Sequence, residues 1–211
     1  MISLELAGAS VALLYGLCTA FRKHTPLYYK IVFFAMASCF LGLGYCALAQ
    51  LLWPQGLQGF HVGYFGSVGM YFFLYSSYYG AINSLADDGT RRFHLYRAAA
   101  FFVAALTAVL AGTGIWVLGT GERLLSTLVL VPVVATVYFS VKHLIFPDVE
   151  MGIIAAMRPF NAMVAALCML QAADLCLPAA GAGAWVRAGC MAVLLAACLP
   201  VARKGVQRWF M

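Results

Sequence analysis

Charged side chains are scarce in this chain, with thirteen basic and seven acidic residues among 211, or 9 % of the whole. Soluble domains carry about a quarter, so a water-facing globule is excluded. Also missing are the local patterns that anchor most enzyme chemistry. There is no GxSxG, HExxH, Walker A or GxGxxG, and no serine beside an evident base. The seven cysteines form no CxxC and show no ligand spacing, and His24, His61, His94 and His143 fall near segment ends. A zinc site or a haem clamped between spans finds no ligands in such a pattern, so no metal and no cofactor are expected. The first twenty residues lack a basic n-region and a small-x-small cleavage pattern, and read as a retained first helix.

What the chain has in abundance is apolar length: 64 % hydrophobic residues, 14 % aromatic and a mean hydropathy of +0.93. Seven apolar segments can be drawn, at about 3–21, 29–53, 60–84, 96–119, 124–141, 151–177 and 184–202, separated by short breaks rich in charge, proline or glycine. At least 18 consecutive apolar residues suffice to cross a bilayer as a helix. The sequence therefore predicts an all-α, polytopic bundle of seven transmembrane helices, a single membrane domain spanning 1–211.

Orientation follows from where the basic residues fall. Arg22, Lys23 and Lys30 flank the first break, Arg91, Arg92 and Arg97 the third, Lys142 the fifth, and Arg203, Lys204 and Arg208 the tail; only Arg123 and Arg187 fall on the other side. Basic residues collect on the cytoplasmic side, which predicts an outside N-terminus, a cytoplasmic C-terminus and a multi-pass protein of the cell membrane. The net charge of +6 is accounted for in this way, without nucleic acid. Basic residues end helices one and five, and prolines follow helices two and six, so a three-plus-one-plus-three arrangement of two parallel halves is a candidate.

Segment three, FHVGYFGSVGMYFFLYSSYYGAIN, carries the strongest pattern. On a helix, Gly63, Gly66, Gly69, Ser76, Ser77 and Gly80 gather on one side, and Tyr64, Tyr71, Tyr75 and Tyr78 on the other. Small residues let helix backbones approach in lipid. Phenol hydroxyls need partners there, so the tyrosine face should look inward. Segment six adds Arg158 and Asn161 near its cytoplasmic end and Gln171 and Asp174 near its outer end. Arg158 reads as an anion-binding or gating group, or as a snorkelling residue or the partner of Asp87, Asp88, Asp148 or Glu150. Asp174 can pair with Arg187 across the last break, with Gln50 and Glu5 at similar depth. The cysteines read as free thiols inside apolar segments, with a bridge among Cys46, Cys176 and Cys190 left open.

In topology alone the chain resembles opsins, heptahelical receptors and three-plus-one-plus-three sugar transporters. The seventh segment lacks the lysine that retinal needs, and the first lacks the proline of the sugar carriers. Membrane lysoplasmalogenases share a faint pattern of glycine-rich helices, but Tyr45 stands where their first acidic residue would be. The expected function is binding and movement of a small molecule or ion through a cavity between helices two, three, six and seven. Tyr71, Tyr75, Tyr78, Asn161 and Arg158 would line it, with Tyr64, Gln171 and Asp174 as further ligand-binding candidates. Alternatives are a receptor-like regulatory module and a lipid-acting membrane enzyme using Asp174 with Gln50 or Glu5. Expected partners are membrane lipid, the solute, and a second copy or another membrane protein.

Overall fold

The structure is a computed structural model, and it describes residues 1–53, 62–79, 90–118, 123–147, 152–178 and 180–210. These fold into seven α-helices: α1 (Ile2–Thr19), α2 (Leu27–Leu52), α3 (Gly63–Ser77), α4 (His94–Leu118), α5 (Arg123–Ile145), α6 (Ile153–Cys176) and α7 (Ala182–Phe210). No strand occurs among the described residues. Six of the helices, all but α3, are long and apolar enough to cross a membrane on their described residues alone. The helical path of α3 continues through Tyr78 and Tyr79 as a wider π-type turn. The rest of the predicted third segment, and the Asp87-Asp88-Gly89 turn after it, lie outside the described residues.

The outer surface shows why the solvent must be lipid. Leu14, Leu41, Leu48, Phe101, Phe102, Val131 and Val193 are each more than 60 % exposed along the middle of their helices. Their transfer to water would cost about 1.5–3 kcal/mol apiece, whereas acyl chains accept them freely. Trp53, Trp116 and Trp185 are also exposed and sit at helix ends on one side of the bundle, at the level where indole rings favour the bilayer interface. The fold is that of a multi-pass integral membrane protein.

The strongest helix pairings close a ring, α1–α2–α3–α5–α6–α7 and back to α1, while α4 packs outside it against α5 and α6. The two triplets take equivalent places: α2 joins α1 to α3 as α6 joins α5 to α7, and the α1–α7 seam answers the α3–α5 seam. This is a three-plus-one-plus-three layout in space. Covered by α4 on its outer side, α5 is the most enclosed of the six long helices.

Glycine decides the tightest seam. At Gly42 of α2 a Cβ would lie 2.7 Å from the Gly63 carbonyl oxygen and 2.7 Å from the Gly66 Cα, so no side chain fits. The Ser38 hydroxyl adds a 3.2 Å bond to the Gly66 carbonyl across the same seam. Without a hydrophobic effect between helices in lipid, such close backbone contact and interhelical hydrogen bonding supply the adhesion. The glycine face of α3 therefore lies on α2, as its sequence implies, and on the opposite side Tyr71 and Tyr78 are fully buried while Tyr64 and Tyr75 are half-buried.

All seven cysteines are free thiols. Cys39, Cys168 and Cys198 are buried, while Cys18 and Cys190 are exposed on the outer surface, where a thiol is as tolerable to lipid as any small apolar group.

Candidate functional site

Two polar clusters occupy the bundle interior at different depths. The first is a cavity of about 370 Å³ at the end where α1 begins. Most of its polar groups come from helix ends: Glu5 from the first turns of α1, Gln50 from the last turn of α2, Gln171 and Asp174 from the last turns of α6, and Arg187 from the start of α7, with Ser67 and Tyr71 from α3. The helices run antiparallel to their chain neighbours, so these ends meet at one level. Further in, Cys39, Tyr71 and Leu195 are the innermost lining positions on α2, α3 and α7.

Asp174 accepts a hydrogen bond from Arg187 Nε, and the same guanidinium donates to the Pro178 carbonyl at 2.8 Å. The arginine side chain is 16 % exposed and the carboxylate 27 %, so the pair is half-sheltered and stronger than an ion pair on an open surface. It fixes the α6–α7 turn at the cavity rim. Glu5 brings a second carboxyl to the same space, and Gln50 and Gln171 bring two primary amides able both to donate and to accept. Such a lining can hold a small polar solute by several convergent hydrogen bonds, with carboxylate attraction for a cationic group.

Tyr71 closes this region. It is fully buried, its hydroxyl donates to the Leu167 carbonyl of α6 at 3.3 Å, and its own carbonyl receives the Thr136 hydroxyl of α5 at 3.2 Å. Two helical turns further along α3, Tyr78 begins the second cluster. Its hydroxyl donates to Asn161 Oδ1 at 3.0 Å, and both residues have no exposed surface. The Tyr78 ring stacks on His143 at 5.5 Å between centroids and on Phe139 at 6.4 Å, and it packs against Phe160, whose other side meets the edge of Tyr28 at 5.8 Å. His143, also without exposed surface, engages the Phe139 carbonyl through Nδ1 at 2.8 Å. Next to it Lys142 is only 3 % exposed, its ammonium 5.2–5.9 Å from the rings of Tyr138, Phe139 and Phe146, within range of cation–π attraction. This second cluster is a filled block, and none of its residues lines the cavity.

The candidates named from sequence thus separate into three sets. Tyr71, Gln171 and Asp174 come together in the cavity, joined by Glu5, Gln50 and Arg187. Tyr78 and Asn161 bind each other inside the block. Tyr64, Tyr75 and Arg158 belong to neither. Tyr64 and Tyr75 are half-buried against the core, Tyr75 stacking on the exposed Tyr79 at 5.8 Å. Arg158 is exposed and donates to the Phe146 carbonyl at 3.3 Å, at the C-terminus of α5, where a cation also complements the helix dipole. Asp87, Asp88, Asp148 and Glu150, named as partners for Arg158, lie outside the described residues. The cavity differs from the expected one in a further respect: it is walled by α1 as well as α2, α3, α6 and α7.

Sequence reading placed Lys142 and His143 at a membrane surface, and the structure buries both. A signal was present. Val129, Val133, Thr136, Ser140 and His143 recur at alternating spacings of four and three, a continuous inward stripe on α5.

The class these features define is an integral membrane helical bundle with an internal polar cavity toward one end. No family model matches the chain, and no curated protein or solved structure matches it.

Proposed function

We propose that the protein is a carrier of the cell membrane that binds a small polar solute or ion in the Glu5–Gln50–Gln171–Asp174 cavity and passes it across the bilayer. The observation that carries this reading is the contrast along one axis. Polar groups open to a cavity at one end of the bundle, and a packed block of Tyr78, His143, Asn161 and Phe160 follows at the next level. A carrier that alternates its access needs such an open side and such a closed side. With the basic residues toward the cytoplasm, the N-terminus and the cavity face outward, and the block is the inner barrier. The solute class that fits the lining is a small polar molecule with both donors and acceptors, because the amides of Gln50 and Gln171, the carboxyl of Glu5 and the Asp174–Arg187 pair face one space.

The test is uptake into proteoliposomes of a panel of labelled cationic, zwitterionic and neutral solutes. Asp174→Asn and Gln171→Ala should abolish accumulation of whichever solute is carried, and Arg158→Ala should leave it unchanged. Uptake that ignores Asp174 and Gln171 would contradict the reading.

One observation favours a second reading. Glu5 and Asp174 line one cavity, and a membrane enzyme hydrolysing an amphiphile needs a pair of carboxyl groups where water can enter. Turnover of a lipid ester without solute flux, lost in both Glu5→Gln and Asp174→Asn, would establish that alternative.

A further inference from the structure

At the opposite end of the bundle a smaller cavity of about 160 Å³ opens between the α1–α2 turn and the last turns of α7. Thr19, His24, Thr25, Tyr29, Arg203 and Gln207 line it. The turn is closed by Thr25, whose N–H and hydroxyl both reach the Arg22 carbonyl, at 3.2 and 2.8 Å. His24 sits there in a left-handed conformation, φ 64°, which its neighbours' bonds hold in place. Tyr29 and Thr19 satisfy each other through their hydroxyls at 2.7 Å. Arg203 is half-buried, and Nη1 makes a long bond of 3.4 Å to the Tyr15 hydroxyl; a guanidinium has five N–H donors, so most of its capacity is unspent among the described residues.

The lining is rich in donors and contains no carboxylate among the described residues. The described carboxylates, Glu5 and Asp174, belong to the other cavity; Glu5 is 14 residues before Thr19 on α1, about 21 Å at the helical rise. Around the mouth Arg22, Lys23, Lys204 and Arg208 are all exposed. Among the described residues the charges here are all positive, and the volume suits one tetrahedral oxyanion with its water. The depth matters equally. Thr19 ends an 18-residue apolar helix, so the cavity stands at the level of the phosphates of the adjoining leaflet.

The geometry points to a phosphate-ester site in which Arg203, assisted by His24 and Gln207, holds the headgroup phosphate of an anionic phospholipid. The guanidinium supplies the paired donors that phosphate oxygens favour, and the imidazole and amide close the cradle from the turn and from the last turns of α7. This site is separate from the solute cavity and does not depend on the carrier reading.

Native mass spectrometry of the purified full chain in detergent, offered equal amounts of phosphatidylglycerol and phosphatidylcholine, tests it. The wild type should retain the anionic lipid preferentially, by roughly fivefold or more, the factor expected for one well-placed basic residue. Arg203→Gln should bring the ratio near one. Gln207→Glu, an exposed position where a carboxylate would enter the cavity without disturbing the core, should do the same in a protein of unchanged thermal stability. Lys204→Gln, which removes a charge at the mouth and nothing from the lining, should lower the ratio less than Arg203→Gln does. Equal retention of both lipids by the wild type, or equal losses in the Arg203 and Lys204 variants, would overturn the site. Displacement of the lipid by millimolar inorganic phosphate would overturn the lipid as the source and leave a soluble phosphate in its place.

Discussion

The cavity and the block are two polar clusters in one bundle, separated by about two turns of α3, and they differ in whether their side chains are packed against protein or face a void. In the block the main bonds close within the protein, Tyr78 to Asn161 and His143 to the Phe139 carbonyl, although the buried amide nitrogen of Asn161 has no hydrogen-bond partner among the described residues. In the cavity the amides of Gln50 and Gln171 and the carboxyl of Glu5 face open space. Burying a polar group without a partner costs about 1–3 kcal/mol. A bundle that leaves several facing a cavity keeps water there, or something that can replace it. The block packs helices α3, α5 and α6 together, and the proposed carrier function assigns the cavity to the solute.

That distinction can be broken by substitution. The largest effect is expected for Tyr78→Ala, which empties a fully buried ring site; about 3–5 kcal/mol of stability should be lost, read as a large fall in the detergent-solubilised melting temperature. Next comes Asp174→Asn, which leaves the Arg187 guanidinium without its carboxylate. Uptake should fall at least about tenfold, and a double-mutant cycle with Arg187→Gln should return a coupling of about 1–3 kcal/mol in solute binding. Tyr78→Phe keeps the ring and removes only the bond to Asn161, so about 1 kcal/mol of stability should go. If Tyr78→Phe lowered uptake as strongly as Asp174→Asn with no change in melting, the block would be part of the binding site. Arg158→Ala should be mildest, at about 0.3–1 kcal/mol, because it removes one exposed bond to a helix-terminal carbonyl.

The seven-helix layout was legible from apolar runs and the charged breaks between them, and so was the two-faced character of α3, because helical periodicity fixes which residues share a side. The Asp174–Arg187 pair was also within reach, since a short turn brings the two helix ends together. Depth was harder to read. Tyr71 and Tyr78 share a face of α3 and were grouped as one lining, yet two turns of helix separate them and they meet different neighbours, Leu167 in one case and Asn161 in the other. A face says which way a residue points, and the partner's register decides what it meets. Lys142 shows the other limit. A lysine at a helix end ordinarily reaches for water, but the rings of Tyr138, Phe139 and Phe146 enclose this one from its own helix and the turn after it.

The most direct test is thiol labelling from one side of the membrane. In a background with the seven native cysteines replaced, Gln171→Cys and Asn161→Cys place a thiol on the same helix, one in the cavity and one in the block. A charged, impermeant methanethiosulfonate added to the side that bears the N-terminus should modify Gln171→Cys rapidly and leave Asn161→Cys untouched. Equal modification of both positions, or an inert Gln171→Cys, would contradict the account of an open cavity above a closed block.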